Sequence, residues 1–361
     1  MNKNLKWAII GAGNGGQSVS GHLGLMGFDV KIYDIFKEPI DIINKQGGIF
    51  LEGAVEGFGK VHATNNLDEA VSNADIVMVI APALAHNDIA KACAPYLKDG
   101  QVVVLHPGAT FGALAFRKVL LDENCTADIT IAETSTLIYA CRAIKIGTAR
   151  ILGIKDRLQV ATLPAVRTKK VVELLRCAYP QIEPLPNVML TSLDNTNPII
   201  HPAATLLNTS MIESGKEWLF YWDGITKSVG DLIEELDNER LNIAKKLGYE
   251  MDAIKDQYRV EYHAEGKNIS EIFRNTKAYE GVYGQKSLDT RYITEDIPMG
   301  LVPFISLGKK LGLKVERMEL IAKLCEFMLH KDLTSNARSL ENLGLSNMTI
   351  DEIMKLIIEG E

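Results

Sequence analysis

The chain of 361 residues is 47% hydrophobic and 24% charged, the composition of an ordinary soluble globular protein with room for two domains. A formal net charge of −7 argues against phosphate-backbone binding, so nucleic acid is not expected as a partner. No apolar run reaches the roughly 18 residues of a membrane span, and the first strand begins too early to leave room for a cleavable leader. Cys93, Cys125, Cys141, Cys177 and Cys325 are scattered, odd in number and without metal-ligand spacing. They read as reduced thiols of a cytoplasmic protein with no metal site and no membrane partner.

Leu5 to Ile10 is a short apolar run of strand length. Gly11-Ala12-Gly13-Asn14-Gly15-Gly16 follows and opens a segment with Val19, Leu23 and Met26 on one helical face. Asp29 to Tyr33 reads as a second strand, ending at Asp34. Strand, G-x-G-x-x-G, helix, strand and acid in this order make the dinucleotide-binding fingerprint. Gly11 permits the tight turn, Gly13 the approach of a pyrophosphate, and Gly16 close helix–strand packing. The helix N-terminus at Asn14 and Gly15 offers N–H groups to phosphate. Asp34 is placed to accept hydrogen bonds from ribose hydroxyls and to repel a 2′-phosphate. NAD is therefore the expected cofactor, while Lys31 and Lys37 nearby leave NADP open.

Strand and helix continue to alternate. Lys60 to Thr64 is a candidate strand and Asn66 to Val71 a short helix. Asp75 to Ile80, almost wholly apolar, fits a strand covered on both faces. Its following loop, with Pro82, is expected to lie over the cofactor, as is the loop His106-Pro107 after the strand Gln101 to Leu105. Asp128 to Glu133 is a further strand; Arg142 to Ile154 and Leu158 to Leu163 look β-like and predict an extended sheet. A helix from Thr168 to Ala178 closes this half.

Pro180, Pro184 and Pro186 crowd one stretch, which disfavours regular structure and marks a boundary. Beyond it helical spacing dominates, as in Val229, Leu232, Ile233 and Leu236, or Met318, Ile321, Leu324, Cys325 and Met328. The expected fold is an α/β Rossmann-type dinucleotide-binding domain over 1–185, followed by an all-helical C-terminal domain over 186–361.

A nicotinamide enzyme needs a proton donor or acceptor beside the reacting carbon, and histidine suits this because it titrates near neutral pH. His22 and His62 read as structural, His86 and His106 lie near the expected cofactor edge, and His263 and His330 have no special neighbours. His201 stands apart, between Pro198 and Pro202, which fix the chain's course; the alternative is a cap for a helix starting near Ala203. Arg291 to Gly300 gathers an arginine, Glu295, Asp296, a proline and a glycine between helical segments. There Arg291 is placed for a bidentate pair with a substrate carboxylate, or for an ion pair within a surface turn. Trp218, Phe220, Tyr221 and Trp222 are equally suited to line a pocket or to fill a core.

GAGNGG at Gly11 to Gly16, NPIIHP at Asn197 to Pro202 and DIPMGLVP at Asp296 to Pro303 resemble the opine dehydrogenase family. The resemblance covers essentially the whole chain, with HPGAT from His106, AETSTLIYACR from Ala132, HPAATLLN from His201 and GITKSVG from Gly224. It is strongest toward the bacterial N-(1-carboxyethyl)-norvaline dehydrogenase type. It implies reversible reductive condensation of an α-keto acid, plausibly pyruvate, with the amino group of an amino acid, using NAD(P)H. By this resemblance His201 is the catalytic histidine and Asp296 its orienting carboxylate. Arg291 is implied as a substrate-binding residue, with Asn197, Asn208 and Arg142 added by motif position alone. Competing readings are another two-domain dehydrogenase, of 2-hydroxy acids or glycerol 3-phosphate, and a non-catalytic NAD(H)-binding sensor. A monomer and a homodimer are both compatible with the sequence.

Overall fold

A computed structural model describes residues 4–360. The chain divides into two compact units, Met1–Asp194 with Asp351–Glu361, and Asn195–Ile350.

The first unit is built on strands β1 (Lys6–Ile10), β2 (Asp29–Tyr33), β3 (Gly48–Gly53), β4 (Gly57–Lys60), β5 (His62–Thr64) and β6 (Ile76–Val79). The series continues with β7 (Val102–Leu105), β8 (Thr130–Thr134), β9 (Tyr139–Lys145), β10 (Thr148–Ile154), β11 (Leu158–Leu163) and β12 (Ile182–Pro184). Eight of them form one sheet in the order β12-β11-β8-β7-β6-β1-β2-β5. From β5 to β8 every neighbour is parallel, and β11 then runs antiparallel to β8. The central strands are buried on both faces, which is why their sequences are unbroken Val, Ile and Met rather than alternating. This is the expected Rossmann-type architecture.

The β-like stretch Arg142 to Ile154 does not extend this sheet. β9 and β10 join β3 and β4 in a separate sheet of order β4-β3-β10-β9. That sheet packs on the fingerprint helix Asn14–Leu25 through missing side chains. A Cβ on Gly59 would stand 1.9 Å from the Gly21 carbonyl oxygen, and one on Gly24 2.3 Å from that of Lys60. The single strand expected over Lys60 to Thr64 is two strands, β4 and β5, belonging to different sheets. The prolines after Tyr179 do not prevent regular structure either, because Ile182–Pro184 pairs with β11 at the sheet edge, where proline is tolerated.

Two boundaries differ from the sequence reading. The short helix Val188–Leu193 belongs to the first unit, where Thr191 and Ser192 hydroxyls bond the fully buried Glu133 carboxylate and Glu133 also accepts the Ala113 N–H at 2.8 Å. The C-terminal helix Ile350–Glu359 also counts with the first unit, its end bonded by Arg117 at the Gly360 carbonyl.

The second unit is helical as expected, and an isolated bridge between Leu219 and Tyr283 is the β pairing recorded among its described residues. Helix Asn197–Leu207 is buried from Pro198 to Leu206 and packs against helices Lys227–Lys246 and Glu316–Leu329. Among the described residues no helix is long and apolar enough to cross a membrane.

Gly59→Ala is expected to destabilise the first unit by about 1–3 kcal/mol, the usual effect of overpacking, because the clash is with backbone that cannot rotate away. Denaturant unfolding measures this, and an unchanged midpoint would show that the small sheet does not depend on close approach to the helix.

Candidate active site

The sequence around His201 forces an irregular helix. Asn197–Leu207 carries Pro198 in its first turn, where the missing N–H is harmless, and Pro202 in its interior, where a hydrogen bond is lost. His201 therefore sits inside a helix, not at a cap before Ala203. Opposite it, Ile297–Leu301 forms a π-helical turn, closed by a 2.8 Å bond from the Leu301 N–H to the Asp296 carbonyl. Such turns widen the backbone by one residue and re-aim the side chains at their ends. Gly300 lies against Pro198, and a Cβ there would fall 2.0 Å from the proline Cγ.

This approach brings His201 Nδ1 to 2.8 Å from Asp296 Oδ2. The imidazole is held on further sides. The Tyr292 ring stacks on it at a centroid distance of 4.0 Å and 9°, Phe220 meets it edge-on, and the Tyr221 hydroxyl lies 3.4 Å from Nε2. His201 is 8% exposed. Burial raises the Asp296 carboxyl above its ordinary value, and the hydrogen bond from His201 opposes that shift. A carboxylate on Nδ1 selects the tautomer with the proton there and presents Nε2 for proton exchange.

The other expected residues of this unit fare differently. Asn197 is exposed at the start of the same helix. Asn208 is buried and donates from its amide nitrogen to the Ala204 carbonyl at 2.7 Å and the Gly224 carbonyl at 2.9 Å. Both amide hydrogens are spent on backbone, so it fastens the end of the helix and has none for a substrate. Arg291 forms the ion pair within a turn: Nε and Nη2 donate to the two carboxylate oxygens of Glu295, which raises its already high pKa. Trp218, Phe220 and Tyr221 are buried, whereas Trp222 is exposed. Tyr292 was missed by sequence reasoning. Its place beside Arg291 gave no hint that its ring would lie on His201.

In the first unit the glycine fingerprint has the geometry of a phosphate cradle. Gly11 has φ +111°, and a Cβ on Gly16 would strike the Gly11 carbonyl oxygen at 1.8 Å. Gly13 has open space around its missing side chain, as a position kept bare for a ligand should. The first N–H to bond within the helix is that of Gln17, to Gly13, which leaves the amides of Asn14, Gly15 and Gly16 at a free N-terminus. The Asn14 side chain, in contrast, accepts the Ala143 N–H of β9 at 3.1 Å. Asp34 accepts the Ala12 N–H at 2.6 Å and the Phe36 N–H at 3.0 Å, so it braces the loop itself. Gln17, unnoticed in the sequence, completes the brace: its amide donates to the Ala12 carbonyl at 2.7 Å and accepts the Gly147 N–H at 2.8 Å.

Pro82 is exposed after β6, and Pro107 is half-buried behind a cis peptide bond from His106. His106 itself corrects the sequence reading. It is 2% exposed, Nδ1 bonds Thr134 at 2.8 Å, and Nε2 accepts the Ile138 N–H at 3.2 Å. Burial lowers its pKa to about 3, so it is a neutral core histidine with no nitrogen left for a cofactor. Arg142 is exposed in β9, opposite Arg150, with a weak bond to the neighbouring Cys141 carbonyl.

Comparison with known proteins matches residues 184–329 to the NAD/NADP octopine/nopaline dehydrogenase alpha-helical domain, and residues 6–123 to the NAD-dependent glycerol-3-phosphate dehydrogenase N-terminus. An opine dehydrogenase of Arthrobacter sp. (strain 1C) is 36% identical over 97% of this chain and 98% of its own. Octopine dehydrogenase of Pecten maximus is 26% identical over 86% and 87%. A solved structure of octopine dehydrogenase with NADH and L-arginine superposes with a TM-score of 0.83 at 22% identity, covering 97% of this chain and 98% of that one. Yersinopine dehydrogenase with NADP+ bound gives 0.74 at 14% identity, covering 96% and 98%.

Gly300→Ala is expected to force the π turn off Pro198 and break the His201–Asp296 bond, with a loss of about 1–3 kcal/mol in stability. Proton NMR checks this through the downfield Nδ1–H resonance, which should be present in the parent protein and absent in the variant. A retained resonance would mean that the contact does not depend on this approach.

Proposed function

The chain belongs to the opine dehydrogenase family, and from that premise we propose that His201 and Asp296 form the acid–base pair of an NAD(P)H-dependent reductive condensation. The substrates are an α-keto acid, pyruvate first among candidates, and the amino group of an amino acid. The product is a secondary amine carrying both carboxylates. The observation that supports this most directly is the 2.8 Å bond from His201 Nδ1 to a buried carboxylate, with Nε2 left for exchange.

In the forward direction the amine adds to the keto carbon, and protonated His201 gives its Nε2 proton to the hydroxyl that leaves as water. Asp296 stabilises the imidazolium before this transfer and holds the ring in place during it. When bound, the nicotinamide cofactor supplies the hydride that reduces the imine carbon. Arg291 remains the proposed partner of a substrate carboxylate: it is exposed, and Glu295 takes two of its three nitrogens. Asn197 and Arg142, both exposed, stay as candidates of lower rank, whereas the geometry of Asn208 argues against a substrate contact.

The cofactor is NAD in this reading, with the pyrophosphate over Gly13 and the helix N-terminus, and with the ribose at Asp34. The NADP+-bound yersinopine dehydrogenase keeps NADP within the family's range.

NADH oxidation should require keto acid and amino acid together, each omitted in turn. His201→Ala is expected to lower turnover by about 10²–10⁴-fold while NADH still binds, and near-normal turnover would exclude His201 as the acid. Asp34→Ser tests the loop as well as the ribose. Losing a charged acceptor of the Ala12 N–H removes about 1.5–3 kcal/mol, so NADH affinity should fall by about 10- to 100-fold, with NADPH gaining less than NADH loses. Titration of both cofactors decides this; a clean exchange of preference would leave Asp34 without a bracing role.

A further inference from the structure

Behind His201 stands a row of tyrosines that the His–Asp pair alone does not require. Tyr221, whose hydroxyl faces His201 Nε2 at 3.4 Å, stacks on Tyr279 at a centroid distance of 3.6 Å and 7°. The Tyr279 hydroxyl is bonded in turn to that of Tyr258. Phe273 packs edge-on against all three rings and fixes the stack. Tyr221 and Tyr258 are buried, while Tyr279 is half-buried.

A core of this size is usually filled with Leu and Phe, because each buried phenol hydroxyl must find a partner or lose free energy. Here the Tyr258 and Tyr279 hydroxyls bond each other, the Tyr279 ring stacks on Tyr221, and the Tyr221 hydroxyl ends on the imidazole nitrogen. Each can donate and accept at once, which is the property a proton path needs. Burial holds the Tyr221 and Tyr279 phenols well above their ordinary range, so both stay protonated at neutral pH. The 3.4 Å separation is at the long end for a hydrogen bond, so Nε2 is touched but not tied.

We propose that Tyr221 is the residue that returns a proton to His201, drawing on the Tyr279 hydroxyl and water beyond it. This rests on the reading of His201 as the acid. After the Nε2–H bond has broken and its proton has left with the departing water, the Tyr221 O–H bond breaks and a new Nε2–H bond forms. In the same shift Tyr221 takes the Tyr279 proton, and Tyr279 takes one from water, releasing hydroxide to the buffer. Every phenol ends neutral, and the reverse reaction sends a proton outward along the same row. Tyr258 acts as a positioning residue that holds the Tyr279 hydroxyl.

The test is Tyr221→Phe, which keeps the ring stack and removes only the hydroxyl, with Tyr279→Phe as a second variant. Rapid mixing of the enzyme–NADH complex with pyruvate and the preferred amino acid separates the first turnover, for which His201 is already loaded, from later ones. The expected result is a first turnover at the parent rate and a steady-state rate lowered about tenfold or more in both variants, with added imidazole restoring it. Unchanged steady-state turnover in Tyr221→Phe overturns the proposal. So does a first turnover slowed as much as the later ones, which would make Tyr221 a positioning residue, and so does a defect that imidazole leaves untouched. If His201→Ala turns over at the parent rate, the acid reading itself fails, a result distinguishable from any tyrosine outcome.

Discussion

The His201–Asp296 hydrogen bond depends on two backbone irregularities that must meet. A regular helix through Pro202 would have its hydrogen-bond ladder intact, and a regular helix at Ile297–Leu301 would project Asp296 elsewhere. The π turn and the proline-interrupted helix are in contact because Gly300 has no side chain to separate them from Pro198. The His201–Asp296 contact thus rests on an absence of atoms. Tyr292 then closes over the imidazole face and Phe220 over its edge, so that the ring has one orientation.

The first unit uses the same device for a different end. Gly59 against Gly21, and Gly24 against Lys60, allow the small sheet to sit on the fingerprint helix at backbone distance. That sheet supplies the N–H groups of Ala143 and Gly147 to Asn14 and Gln17. Gln17 and Asp34 in turn hold the carbonyl and the N–H of Ala12. Both polar atoms of this peptide position are therefore satisfied within the protein, and the neighbouring amides at the helix N-terminus are left for an anion. Preorganisation of this kind lowers the ordering cost that a flexible loop would add to binding.

Buried polar residues differ in the partners they bond. His106 and His201 are both buried histidines whose Nδ1 is bonded to another side chain. His106 bonds a hydroxyl and a backbone N–H, neutral partners, and burial keeps its ring uncharged, whereas His201 bonds a carboxylate. One histidine is consequently part of the core, and the other is held against a buried carboxylate. Asn208 and Glu133 follow the first pattern, with hydrogen bonds to the backbone and to a neighbouring hydroxyl.

The sequence alone determined what is local. Apolar runs at β1, β6 and β7, the helix opened by Gly11 to Gly16 and the helical periodicity after Asn187 depend on neighbours a few residues away, and each is present as expected. Family motifs further singled out His201 and Asp296. Tertiary structure alone decided what depends on partners remote in the chain. It paired β9 and β10 with β3 and β4 instead of the main sheet, gave the C-terminal helix to the first unit, and turned His106 and Asn208 inward. It also set Tyr292 and Tyr221 around His201. A pattern of periodicity reports which face of an element is apolar, but hydrogen-bond partners and ring contacts are set by how closely backbones approach, and that follows from packing across the whole chain.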